Sequence, residues 1–274
     1  MAGGEGTRLR PLTSNQPKPM LPMANRPMME HVVALLRHHG FEDIVVTVAF
    51  MANAIRSYFG DGSEFGVRMV YATEETPLGT AGSVRNARDE LDERFVVISG
   101  DVLTDLDLTS VVDHHDAKGA LATIALKAVD NPLEFGIVIT REDGSIERFL
   151  EKPTWGQVFS DTINTGIYVL EPEIFDYIPE GRSVDFSEEV FPAVLAAGKP
   201  LFGYVSGGYW EDVGTLDAYL RAHQDILDER VGIQRDGFSL RPGVWLGKGA
   251  QVHPTAQVSG PALIAHGETE DSLR

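Results

Sequence analysis

The stretch Gly3-Gly4-Glu5-Gly6-Thr7-Arg8-Leu9-Arg10-Pro11-Leu12-Thr13 has the residue types that meet an anion. Glycines lack a Cβ, so neighbouring backbone N–H groups come close to phosphate oxygens and form an anion nest. Charge points the same way. Residues 6–29 hold no Asp or Glu but hold Arg8, Arg10, Lys18 and Arg26. The chain as a whole carries −18, so the other 250 residues carry −18 − 4 = −22. A basic island in an acidic protein suits a small polyanion bound at one place. Taken alone, it is more simply a solvated loop. Two familiar phosphate loops do not fit. The dinucleotide fingerprint needs a third Gly opening a helix, where this chain has Leu9 and then Pro11. The other loop needs Gly-Lys-Ser/Thr, which is missing here.

Two carboxylates complete the set. Asp101 stands after the run Phe95-Val96-Val97-Ile98-Ser99, at the carboxyl end of a strand, where open α/β sheets bind ligands. By itself, Gly100-Asp101 reads equally as a turn. Asp212 precedes an amphipathic helix over 215–228, where the helix dipole favours an acid for purely structural reasons. The eight histidines offer no better ligand set. His38-His39 and His114-His115 are adjacent pairs and cannot share a helix face.

These residues need a scaffold, and the pattern supplies one. A helix is expected from Pro27 to His39, with Asn25 as candidate N-cap and Gly40 as its stop. Ile44-Val45-Val46-Thr47-Val48 reads as a strand covered on both faces. Helix over 52–59, strand over 67–71, helix over 80–91 and strand over 95–99 continue the alternation. Shorter strands follow over 121–128, 136–140, 146–150 and 164–170, with Asp143-Gly144 as a hairpin turn. Helices are expected near 172–178, over 186–197 and over 215–228. The pattern predicts an α/β, Rossmann-like fold, with a mixed, mostly parallel sheet and flanking helices. The tail differs. Leu246, Val252, Val258 and Ile264 recur every six residues, as do Ala250, Ala256 and Ala262. That period predicts the start of a left-handed β-helix over 240–274, after a first domain over 1–232.

With 274 residues, 43% hydrophobic and 23% charged, the chain has enough material for a buried core. Its acidity disfavours nucleic acid and anionic membranes as partners. The lack of cysteine excludes thiol catalysis and Cys-ligated metal. No apolar run approaches ~20 residues, and residues 1–5 lack the pattern of a secretory signal. A soluble cytoplasmic protein is expected.

Eight ordered landmarks identify a family resemblance. They are the Gly3–Thr13 loop; Lys18-Pro19; Pro77-Leu78-Gly79-Thr80-Ala81-Gly82; Gly100-Asp101; Phe135-Gly136; Glu151-Lys152-Pro153; Asn164-Thr165-Gly166-Ile167-Tyr168; and Trp210-Glu211-Asp212-Val213-Gly214. The chain resembles the sugar-1-phosphate nucleotidyltransferases over residues 1 to about 230, most of all their mannose-1-phosphate guanylyltransferase branch. The resemblance implies attack of a sugar phosphate on the α-phosphorus of an NTP, with pyrophosphate leaving. It implies Arg8 and Lys18 at the triphosphate, and Asp101 and Asp212 as catalytic ligands of magnesium. It implies a nucleotide site of Gly3, Gly4, Gly6, Thr7, Glu75, Pro77, Gly79 and Thr80. Gly136, Glu151, Lys152 and Asn164 would hold the sugar phosphate.

Members that use UTP or dTTP usually carry a Gln near the base, where this chain has Thr73-Glu74-Glu75-Thr76. An acid accepts hydrogen bonds from guanine, so GTP and mannose 1-phosphate are the expected substrates. Two alternatives are glucose 1-phosphate with another NTP, and a non-catalytic sugar-nucleotide-binding or regulatory subunit. The β-helix segment would serve a homo-oligomer or a fusion. Members also carry a short apolar strand before the glycine loop, where here only Met1 and Ala2 precede Gly3. The sequence is therefore expected to be a fragment, or to have a misassigned start, and to fold poorly without about six more residues.

Overall fold

The computed structural model describes residues 1–4, 6–129, 131–132, 136–151, 161–233, 237–253 and 255–265, with the backbone only at 150 and 151. The chain opens with the glycine loop and a small hairpin, β1 (Pro22–Met23) and β2 (Arg26–Pro27). Ala24 and Asn25 turn it with φ of 50° and 66°. Two successive left-handed residues are what a tight hairpin of this hand requires. Asn25 is thus spent on the turn. The N-cap of α1 (Met28–His38) is Pro27, which caps with no side chain, contrary to the expectation for Asn25. Met28, Met29, Val32, Val33 and Leu36 bury one face of α1, and Gly40 follows at φ 82°.

An alternating stretch comes next: β3 (Asp43–Val48), α2 (Ala52–Phe59), β4 (Arg68–Thr73), α3 (Gly79–Asn86), β5 (Phe95–Val97), β6 (Val102–Thr104) and α4 (Leu108–Lys118). The second half holds β7 (Ala122–Ala128), β8 (Gly136–Thr140), β9 (Ile146–Glu151), β10 (Thr162–Leu170), α5 (Phe191–Ala196), β11 (Leu201–Val205), β12 (Trp210–Asp212) and α6 (Leu216–Leu227). The tail holds β13 (Phe238–Arg241), β14 (Val244–Leu246) and β15 (Ala262–Ile264).

The sheet is mixed, but the mostly parallel expectation needs correction. In the main sheet, ordered β11-β7-β10-β8-β9 with β5 also on β10, only β11 and β7 pair in parallel. The cause is local. The Asp143-Gly144 turn folds β8 and β9 into a hairpin, and β10 returns antiparallel to β5, β7 and β8. Strands β3 and β4 form a parallel pair of their own. Aromatic packing of Phe95 on Phe175, and of Tyr168, Phe186 and Phe191 on one another, fills the core under the main sheet.

Met1 and Ala2 run between β3 and the end of β5. The Met1 amine donates to the Ile98 carbonyl at 2.8 Å, Gly100 N–H donates to the Met1 carbonyl at 2.7 Å, and Ala2 N–H donates to Thr47 at 2.9 Å. Beyond them β3 and β5 stand apart. A cleft of about 330 Å³ lies between, lined by aliphatic groups such as Val33, Leu36, Ile44, Val46, Val84 and Val97.

In the tail, β14 pairs in parallel with β15, Val244 opposite Ala262, an offset of 262 − 244 = 18 residues or three hexapeptides. The six-residue period thus returns the chain to its own edge once. The described residues form a three-stranded sheet there and no β-helix of stacked turns.

Candidate active site

The glycine loop is shaped around Lys18. Gly6 has φ 62°, and a Cβ there would lie 3.0 Å from both the Lys18 Cβ and the Thr13 methyl. Only glycine adopts this backbone at so close an approach without strain. Thr13 Oγ1 donates to the Gly6 carbonyl at 2.8 Å, and fully buried Leu9 pins the loop to the core. Lys18 opens a short 3₁₀ turn between Pro17 and Pro19. Its side chain is only 8% exposed. The ammonium lies 2.6 Å from Asp101 Oδ2 and 3.3 Å from Asp212 Oδ1.

The two carboxylates are 111 residues apart in sequence (212 − 101) and meet through a ladder. Strands β6 and β12 pair antiparallel with Asp212 opposite Val102, the residue after Asp101. Fully buried Val213 and the Thr215 cap of α6, whose hydroxyl accepts from Ala218 N–H, fix the chain just beyond. Arg8 is exposed at the rim. A Cβ on Gly214 would sit 3.1 Å from its guanidinium and 3.1 Å from Asp212 Oδ2. Lys18 therefore stands between two carboxylates, with a second cation alongside.

A cleft of about 270 Å³ opens beside Lys18. Of the residues expected to hold nucleotide, Gly3, Gly4, Pro77, Gly79 and Thr80 line it, together with Lys18 and Asp101. Gly6 lies behind it under Lys18, and Thr7 is exposed outside its lining. Glu75 is exposed and stands outside the lining of this cleft. Its neighbour Glu74 lines it. Glu74 N–H extends β4 by donating to the Val48 carbonyl at 2.9 Å, which turns the side chain inward. The residue is 8% exposed. Its Oε2 accepts from Leu78 N–H at 3.2 Å, while Oε1 has no hydrogen-bond partner among the described residues. Gly3 passes so close that a Cβ there would lie 3.6 Å from that free oxygen.

Gly79 turns at φ 73°, where a Cβ would strike the Val184 carbonyl at 2.6 Å. This close approach joins the Pro77–Gly82 loop to the second half. Thr80 Oγ1 donates to Asp185 Oδ2 at 2.8 Å, and Ser187 N–H donates to Asp185 Oδ1 at 2.7 Å. Asn164 Nδ2 then donates to Ser187 Oγ at 2.9 Å and Tyr168 Oη at 3.1 Å, while its Oδ1 accepts from Gly166 N–H at 2.9 Å. Asn164 is thus tied to the Pro77–Gly82 loop by a chain of bonds. Asp185 and Ser187 were not singled out from the sequence, where they show only a helix-start signal. Gly136 opens β8 opposite Glu151, of which only the backbone is described, and Lys152 lies outside the described residues.

Among the described residues, no cluster of three or more His, Asp or Glu could hold a metal by itself. The Asp101–Asp212 pair nevertheless fits a hard divalent cation. Its two carboxylates already converge on one positive nitrogen, and magnesium commonly takes one or two carboxylates with phosphates and water completing the shell.

Residues 1–229 match the family model described as nucleotidyl transferase. The chain belongs to this family. It is 39% identical, over 96% of its length and 72% of the relative's, to a UTP–glucose-1-phosphate uridylyltransferase of Synechocystis sp.. It is 37% identical, over 96% of its length and 78% of the relative's, to a mannose-1-phosphate guanylyltransferase of Mycobacterium tuberculosis. In structure it matches a protein of Bacillus anthracis assigned as a glucose-1-phosphate thymidylyltransferase, with a TM-score of 0.73 and 30% identity. That match covers 81% of this chain and 91% of the other. The relatives thus divide between guanylyl, uridylyl and thymidylyl donors.

Proposed function

We propose that this protein transfers a nucleotidyl group from an NTP to a sugar 1-phosphate, with GTP and mannose 1-phosphate as its pair. A phosphate oxygen of the sugar phosphate forms the new bond to the α-phosphorus. The bond from that phosphorus to the bridging oxygen breaks, and pyrophosphate leaves. Two anions must approach each other, so the protein's work is to position and neutralise. The observation that carries this reading is Lys18 held between Asp101 and Asp212 at the edge of the cleft lined by Gly3 and Gly4.

Lys18 supplies a mobile point charge to the reacting phosphate, and Arg8 a fixed fork to the outer phosphates. Asp101 and Asp212 would hold the divalent cation, which when bound offsets phosphate charge. Asn164, through Ser187 and Asp185, fixes the sugar side against the base loop.

Glu74 supports guanine. A carboxylate only accepts hydrogen bonds. Guanine offers adjacent donors at N1 and N2, whereas uracil sets its one donor between two carbonyl acceptors. A site with a buried acceptor discriminates strongly against a base that leaves it unpaired. The competing reading, UTP with glucose 1-phosphate, draws on the Synechocystis relative. A pyrophosphate-release screen of four NTPs against mannose, glucose and N-acetylglucosamine 1-phosphates decides between them. GTP with mannose 1-phosphate is expected to lead, and a preference of about tenfold for UTP or dTTP overturns the base assignment. A protein that catalyses no exchange between labelled pyrophosphate and any NTP would instead be a non-catalytic binder.

A further inference from the structure

A cation of the chain's own already stands where two carboxylates converge. We propose that Lys18 is a tethered stand-in for the divalent cation: it holds Asp101 and Asp212 together in the free protein and yields the site only when metal and polyphosphate arrive together. This inference rests on the assignment of Asp101 and Asp212 as the metal pair.

Three observations carry it. First, one ammonium nitrogen lies 2.6 Å from Asp101 and 3.3 Å from Asp212, so a dication between the same oxygens has to displace it. Second, the base of the side chain cannot follow. The Gly6 Cα passes so close that a Cβ there would touch the Lys18 Cβ at 3.0 Å, and the backbone is set in a 3₁₀ turn between two buried prolines. Only the outer end of Lys18 can swing. The cleft that it also lines, with Gly3 and Gly4, gives that end a destination.

Third, a dication alone leaves the site with excess positive charge. Asp101, Asp212 and Glu74 against Lys18 and Arg8 sum to −3 + 2 = −1. A dication added without an anion gives −3 + 2 + 2 = +1, with the displaced ammonium facing both the dication and Arg8. A polyphosphate removes that conflict by accepting the ammonium. Metal and polyphosphate therefore bind with positive coupling, and linkage makes the coupling reciprocal. The lysine also prevents the carboxylate pair from repelling itself apart before loading.

The test measures binding, not turnover. Mn²⁺ is titrated into the free protein and followed by electron paramagnetic resonance, then repeated with the preformed Mn²⁺–pyrophosphate complex. Wild type is expected to take Mn²⁺ alone weakly and the complex tightly. K18M removes the charge at similar volume, and its affinity for Mn²⁺ alone should rise about tenfold, equal to ~1.4 kcal/mol. K18R keeps the charge and should stay near wild type, and R10M, a nearby cation outside the site, should change little. Adding D101N to K18M should abolish the gain. Circular dichroism melts check each fold, and K18Q serves in place of K18M if the latter does not hold. A K18M protein that binds free Mn²⁺ no tighter than wild type overturns the proposal, as does an equal gain in R10M. If wild type binds the complex no better than D101N does, the metal assignment itself is wrong.

Discussion

Two clefts meet at Met1 and Ala2, and they differ in kind. The one between β3 and β5 is the larger, at about 330 Å³, and its side chains are mostly aliphatic. The one beside Lys18 is about 270 Å³ and holds a buried ammonium, the Asp101 carboxylate and a Glu74 oxygen with no described partner. Size and apolarity mark the first; unmet polar demand marks the second. Leaving a polar group buried without a partner costs ~1–3 kcal/mol, and folding alone does not select for it. Such groups point to a ligand. Among the described residues the aliphatic cleft has one such group, the neutral Thr47 hydroxyl, and its other open features are backbone edges. We assign function to the smaller cavity, where the unpartnered group is a carboxylate oxygen beside a buried ammonium, and stability to the larger.

Substitutions can separate the two. The largest effect is expected at Asp101 and Asp212. D101N and D212N should each lose most metal-dependent turnover while the melting temperature stays close to wild type. Near-normal activity of D101N with magnesium would make the two clefts equally uninformative about catalysis. Lys18→Ala comes next. Removing one preorganised donor to developing phosphate charge typically lowers kcat by ~10²–10³-fold. Single-turnover rates check this, and Arg8→Ala should cost more than Arg10→Ala.

Glu74→Gln is a smaller and more selective change. It keeps the volume but replaces a pure acceptor with a mixed donor and acceptor. The ratio of kcat/KM for GTP over UTP should fall about tenfold with little loss of fold. An unchanged ratio would remove Glu74 from base selection.

The last prediction concerns the aliphatic cleft. Met1 stands opposite residue 99 by its bonds to Ile98 and Gly100, and Ala2 stands opposite Val48 by its bond to Thr47. Counting back, four residues added before Met1 reach Phe95 on one side (99 − 95 = 4) and Asp43 on the other (48 − 43 = 5, from Ala2). Both edges give the same length. A chain extended by four apolar residues should melt several degrees higher, on the order of 4–8 °C per kcal/mol for a small domain and less for one this size.

The extension should also flatten the acid side of the stability curve. Burial lowers the Met1 amine to about 6 from its ordinary 8.0. The unfolded chain therefore holds more protons between those values, and stability is lost as pH falls from 8 towards 6. An amide at that position does not titrate. Urea melts at pH 6 and 8 on both chains check this. Equal melting temperatures would leave the aliphatic cleft without the role assigned to it.

Much was legible from residue type and spacing alone. The Gly3–Thr13 loop, the acid-free stretch around Lys18 and the β/α alternation follow from local rules: glycine permits close backbone approach, and side-chain period reports which faces are buried. The helix expected over 215–228 and the Asp143-Gly144 hairpin are equally local. Tertiary structure decided the rest, because it depended on pairing across long separations. The β6–β12 ladder brought Asp212 to Asp101, and the return of β10 made the sheet mainly antiparallel. A one-residue difference in register put Glu74 in the cleft and Glu75 in solvent, since successive residues of an extended chain face opposite ways. Periodicity cannot make that choice for a pair of identical side chains at a strand end; only the Glu74 N–H bond to Val48 does.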